Sequence, residues 1–121
     1  MFEYKVFQIN LTDREIKKIN QAGDHSIVPK NDLRLKINCS FGNDVTELVK
    51  EAFEKKYYQH VATISTVSNS LEHVFEIGNI GPDEFIERIL PMHSISVGDV
   101  IESPNGDKHM VASVGFEKVT L

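Results

Sequence analysis

Seven residues near the C-terminal end, His93-Ser94-Ile95-Ser96-Val97-Gly98-Asp99, bring a histidine, two serines and an aspartate together. Those residue types suggest acyl transfer, in which a serine hydroxyl gives its proton to an imidazole and oxyanion donors face the reacting carbonyl. Closeness along the chain works against that chemistry, because alternate residues of a strand point to opposite faces. In a regular strand Ser94 and Ser96 share one face, while His93, Ile95 and Val97 share the other. The imidazole and the hydroxyls therefore diverge, and no Gly-x-Ser-x-Gly elbow occurs. The residues read instead as strand, bend and strand, with Ile95 and Val97 entering the core and Asp99 accepting backbone N–H bonds at a Gly98-Asp99 turn. Asn79, His93, Ser94, Ser96 and Asp99 are then candidate binding residues of a polar surface, and no catalytic residue is assigned.

Other chemistry finds less support. Five histidines (His25, His60, His73, His93 and His109) would suffice in number for a metal. None lie four apart on a common helix and no His-Glu-x-x-His occurs, so neither metal nor cofactor is expected. Cys39 is the single cysteine, which excludes internal disulfides and multi-cysteine zinc sites. Its place in an alternating apolar pattern marks it as a small buried hydrophobe. Lys30, Arg34 and Lys36 form a local basic group, and Tyr57 and Tyr58, beside Lys55 and Lys56, would add stacking surface for nucleic acid. The formal net charge of −5 opposes that reading and favours a protein partner.

The elements that must position these residues are legible in outline. In Phe2–Leu11, Phe2, Tyr4 and Val6 share one face, and Phe7, Ile9 and Leu11 then take the other. That change of phase predicts a first strand that becomes buried on both sides or carries a bulge. Thr12 and Glu15 form a capping box for a short helix, with Leu11 stapled onto Ile16 and with Ile16 and Ile19 buried. A loop over 20–31 leads to the segment Leu33–Phe41, whose alternation predicts a strand with Arg34 and Lys36 on its wet face. A Gly-Asn-Asp break precedes a long helix from Val45 into the sixties, where β-branched residues leave helix and strand both open. A second helix starts at an Asn69/Glu72 capping box and ends at Gly78. One helical turn follows Pro82, and strands run from Met92 onward, joined by an Asn105-Gly106 type I′ hairpin.

This order predicts an α+β domain over 1–121, with a small antiparallel or mixed sheet, two to three helices and a C-terminal β-hairpin. Residues 1–66 form a strand-helix-strand-helix region within it. The length suits one domain, and an apolar fraction of 40% with 26% charged residues suits a folded one. No apolar run reaches the roughly 18 residues of a membrane span, and the N-terminal residues do not read as a signal peptide. A cytoplasmic protein without membrane contact is expected.

Residues 69–120 resemble the YodL-like domain family. The resemblance rests on Leu71, Phe75, Asn79, His93, Ser94, Ser96, Val97, Asp99, Val100, Gly115 and Phe116. In that family a helix ending in asparagine precedes a His- or Arg-led serine stretch, an aspartate and a strand ending in Gly-Phe. Gly98 departs from the pattern, since a polar residue often stands there. The resemblance implies a small cytoplasmic accessory protein of phages or other mobile elements, acting in the host cytoplasm, and supplies no catalytic residue. The leading reading is therefore non-enzymatic action through protein contacts, with a nucleic-acid-binding module as the alternative.

Overall fold

The structure, a computed structural model, describes residues 1–39, 43–112 and 115–121, with Cys39, Asn43 and Asp44 described by backbone alone. The expectations for the Cys39 side chain, Phe41, Gly42 and Val114 lie outside the described residues, while Asn43 and Asp44, read as part of a break, already belong to the long helix.

The strands are β1 (Phe2–Ile9), β2 (Tyr58–Thr66), β3 (Ile86–Arg88), β4 (Val100–Glu102), β5 (Lys108–Val111) and β6 (Phe116–Val119). They form one antiparallel sheet in the order β3-β2-β1-β4-β5-β6. The helices are α1 (Asp13–Ala22), α2 (Pro29–Cys39), α3 (Asn43–Glu54) and α4 (Leu71–Ile80), with short 3-10 turns at His25–Ile27 and Asp83–Phe85. The fold is α+β with the expected terminal hairpin, and it has four helices among the described residues where two to three were expected.

Two apolar layers explain the change of phase in β1. Tyr4 and Val6 pack with Ala62, Ile64, Val74 and Ile77 under α4, whereas Ile9 packs with Leu33, Ile37, Val49 and Tyr58 under α2 and α3. Both faces of the sheet are thus covered where β1 ends. Each fully buried aliphatic side chain in these layers contributes about 1.5–3 kcal/mol. The bulge falls on the neighbouring strand. Val6 faces Ala62 and Phe7 faces His60, which leaves Val61 as the extra residue of β2. The Val61 carbonyl accepts both Ile89 N–H (2.8 Å) and Leu90 N–H (3.1 Å), and so fixes where the chain leaves β3.

The segment read as a strand from Leu33 is the body of α2. Leu33 and Ile37 are four apart, so they fit a buried helical stripe as well as a strand face, and both are buried. Pro29 opens the helix at a position where its missing N–H costs nothing, and Leu, Arg and Lys are strong helix formers. The helix also shortens the expected loop, because α1 itself runs to Ala22 and is closed by Gly23 at φ 64°. Residues 1–66 therefore run strand, three helices, strand.

Helix α3 stops at Glu54. Lys56 takes a left-handed φ of 60°, Lys56 N–H bonds Phe53 O and Tyr57 N–H bonds Ala52 O, the paired bonds of a Schellman cap. The β-branched stretch beyond is β2. The Thr12–Glu15 capping box is present as expected. Ile19 is buried, but Ile16 is 42% exposed, since this short helix turns only a narrow stripe inward.

Helix α4 starts one residue later than expected, at an Ser70 cap whose hydroxyl accepts His73 N–H. Asn69 accepts instead from the Tyr4 hydroxyl. The helix runs through Gly78 to Ile80 and ends at Gly81, φ 106°. Gly78 serves close packing: a Cβ there would lie 2.3 Å from Ile95 Cδ1. The β4–β5 hairpin is not type I′, because Asn105 does not have positive φ. Gly106 N–H bonds Ser103 O, and Gly106 alone takes the left-handed region, φ 91°. Pro104, whose ring holds φ near about −65°, suits the second position of that turn.

Candidate functional site

Residues 91–99 form no strand, although they run beside the end of β1. The β1–β4 ladder stops at Phe7–Val100, so the extended chain before Val100 has no strand partner of its own. Side-chain amides take that place. Asn10 Nδ2 donates to Pro91 O at 2.7 Å. Gln8 accepts His93 N–H on Oε1 (3.2 Å) and donates to His93 O from Nε2 (2.9 Å). Asn79, from α4, treats Ile95 in the same way, accepting its N–H and donating to its carbonyl at 3.1 Å. A carboxamide carries one acceptor and two donors, so it can replace the two bonds of a neighbouring strand residue.

Asp99 closes the segment. Its Oδ2 accepts Ser96 N–H (2.9 Å) and Gln8 Nε2–H (3.0 Å), and Asp99 N–H bonds Ser96 O to complete the turn. Gly98 is required here. Its φ is 91°, and a Cβ would lie 2.2 Å from Ile37 Cγ2 on α2. Gly98 N–H reaches Val111 O at 2.8 Å, and the Tyr58 hydroxyl donates to Gly98 O. The Asp99 carboxylate is buried, and burial pushes its pKa up to about 6 although Ser96 N–H, His93, Gln8 and Arg34 oppose the shift. Burial, with the Asp99 charge behind it, raises the Tyr58 phenol as well.

The expected residues are distributed as follows. His93, Ser96 and Asp99 meet at a small cavity of about 120 Å³, walled by Ile9, Ile37, Asn38 and Tyr58 and joined by Arg34 from the basic group. Asn79 is spent on Ile95, and Ser94 points to solvent. Ile95 is buried as expected, while Val97 is only half-buried at the cavity wall. No hydrogen bond among the described residues joins the His93 ring to a serine hydroxyl or to Asp99. The His93 Nδ1–H donates to Ser94 O at 2.8 Å. A serine relay is not assembled.

The basic group is broken up by α2. Lys30 pairs with Glu15 at 2.7 Å, tying α2 to α1, and Lys36 pairs with Asp32 at 3.1 Å on another side of the helix. Arg34 gives its Nε–H (3.3 Å) and an Nη2 hydrogen (2.9 Å) to Asn31 Oδ1. Tyr58 is buried and stacks on Phe53 with ring centroids 4.8 Å apart, so it offers no surface to a base.

A wider groove of about 500 Å³ opens beside the cavity and shares Ile9, Arg34 and His93 with it. Its apolar walls are Leu11 and Ile16 on one side and Leu90, Pro91 and Met92 on the other. Ile16 and Leu90 are 42% and 37% exposed. The Val61 bulge places Leu90, and the Thr12 cap orients Ile16. Sequence reasoning missed Gln8 and Asn10, and gave Tyr58 a stacking role in place of the buried bond its hydroxyl donates to Gly98 O. Gln8 had a signal: it continues the inward phase of Tyr4 and Val6, and a polar residue on that phase needs a buried partner.

Fold and site together define an α+β protein with a six-stranded antiparallel sheet covered on both faces, carrying an apolar groove that ends in a polar cavity. No family model matches the chain, and neither the curated proteins nor the solved structures contain a match. Among the described residues no helix is long and apolar enough to cross a membrane, and no group of three or more His, Cys, Asp or Glu is placed to hold a metal ion.

Proposed function

We propose that this chain is a YodL-like accessory protein of the phage or mobile-element type, acting in the host cytoplasm by binding a protein. The observation that carries this reading is the groove between Ile16 and Leu90. Large apolar side chains left half-exposed side by side, with a polar cavity at one end, are the features of a protein-docking surface. The occupant is an extended segment of a partner that lays an apolar side chain between Ile16 and Leu90. The residues of the C-terminal segment support this reading by holding the groove's wall, not by reacting. Pairing of Lys30 with Glu15 and of Lys36 with Asp32 weighs against a phosphate backbone as the ligand.

Position-specific photo-crosslinking in the bacterial host tests this directly. A crosslinker at Leu90 should trap one defined protein, and one at Val67, at the far end of β2, should not. Ile16→Asp should abolish the Leu90 product while leaving the fold intact by circular dichroism. Equal capture from both positions, capture insensitive to Ile16→Asp, or crosslinks mainly to nucleic acid would each overturn the reading.

A further inference from the structure

The lining of the cavity at the end of the groove carries both a hydrogen-bond acceptor and a donor. Asp99 is the acceptor. Ser96 N–H and Gln8 Nε2–H both land on its Oδ2, and among the described residues nothing donates to Oδ1. Arg34 is the donor. Asn31 holds its Nε and Nη2 and thereby fixes the guanidinium plane, while Nη1 has no acceptor among the described residues. Arg34 and Asp99 both line the cavity but form no ion pair among the described residues. Ile9, Ile37, Tyr58 and Val97 add apolar surface, and Asn38, His93 and Ser96 complete the lining with groups that carry no fixed charge of their own to oppose an uncharged ligand.

That arrangement discriminates by charge and by hydrogen bonding. Neither ion suits both groups: a cation that pairs with Asp99 faces the like charge of Arg34, and an anion that pairs with Arg34 faces that of Asp99. An apolar group leaves both polar groups without partners. A primary carboxamide satisfies both, because one planar unit carries an N–H donor and a carbonyl acceptor. A cavity of about 120 Å³ admits a group of that size. The protein already uses this pairing once, where the Gln8 carboxamide donates to Asp99 from the other side.

We propose that the cavity binds the carboxamide side chain of a glutamine or asparagine on the partner segment, with its N–H to Asp99 and its carbonyl toward Arg34. This assignment rests on the docking reading above and adds the chemistry that selects the partner.

Three near-isosteric probes, propionamide, propionate and n-propylammonium, are titrated separately into the isotope-labelled full chain in neutral buffer. The readouts are the Gly98 and Asp99 amide resonances and the Arg34 Nε–H. Propionamide should shift them saturably and bind about tenfold more tightly than either ion. Arg34→Met should reverse the order, weakening propionamide and favouring n-propylammonium, a change that a purely structural arginine would not produce. Propionate or n-propylammonium binding best to the parent protein, or no probe shifting these resonances, would overturn the assignment. Loss of probe binding with a surviving Leu90 crosslink would remove the carboxamide assignment alone. Probe binding without the crosslink would remove the docking reading.

Discussion

Replacing Asp99 with asparagine should stabilise the protein at neutral pH, although it removes a residue at the centre of the site. The Asp99 carboxyl titrates near 6 and not at its usual 3.8, chiefly because burial strips water from the charged form. With the folded pKa above the unfolded one, the native state keeps its proton longer. Stability from this group is therefore fully present below about pH 4, falls as pH rises to about 6, and stays low above that. A gap of about two units corresponds to about 3 kcal/mol. Asp99→Asn cannot ionise, and its side-chain oxygen can still accept from Ser96 N–H and Gln8 Nε2. The charge on those two bonds is already counted in that net shift, since each lowers the pKa. The variant should then exceed the parent by about 3 kcal/mol in neutral urea titrations, and the advantage should vanish below about pH 4. A variant less stable than the parent at neutral pH, or parental stability that rises between these pH values, would refute the reasoning. A charge kept at such a cost beside a cavity is the pattern expected of a binding residue.

Two further substitutions probe the elements that carry the site. Lys56→Gly should raise stability by about 1 kcal/mol in the same titrations, because the left-handed φ of 60° is costly for a residue with a Cβ and free for glycine. Asn79→Ala should cost about 2–4 kcal/mol, since it strips both bonds from the Ile95 backbone in a half-buried setting, and Asn79→Asp should restore only the bond to the N–H.

Local chemistry made part of this fold readable. The Thr12–Glu15 cap, the change of phase after Val6 and the strand character of the terminal hairpin depend on near neighbours and on which face is buried. The errors arose where one pattern satisfies two geometries. Leu33, Leu35 and Ile37 alternate like a strand, yet Leu33 and Ile37 also sit one helical turn apart, and Pro29 decided the matter. Tyr57 and Val61 continue the α3 stripe by spacing alone, while the helix ends at Glu54 and is capped at Lys56, a residue type that gives no sign of a left-handed cap. The site was legible in composition but not in role. Asn79 lies 16 residues from Ile95, and Gln8 lies 85 from His93, so no local pattern announces their bonds. Arg34 and Asp99 were assigned to competing functions, and the turn of α2 that brings Arg34 to the cavity separates it from Lys36.

Amide hydrogen exchange across residues 91–99 tests most directly whether polar side chains stand in for a strand here. His93, Ile95 and Ser96 lie in no strand, but their N–H groups donate to Gln8, Asn79 and Asp99. Ser94 N–H meets no acceptor among the described residues. These three amides should exchange as slowly as those of β4, with Ser94 fast between them. Uniformly fast exchange over the whole segment would contradict the side-chain ladder, and with it the cavity and groove that the ladder holds in place.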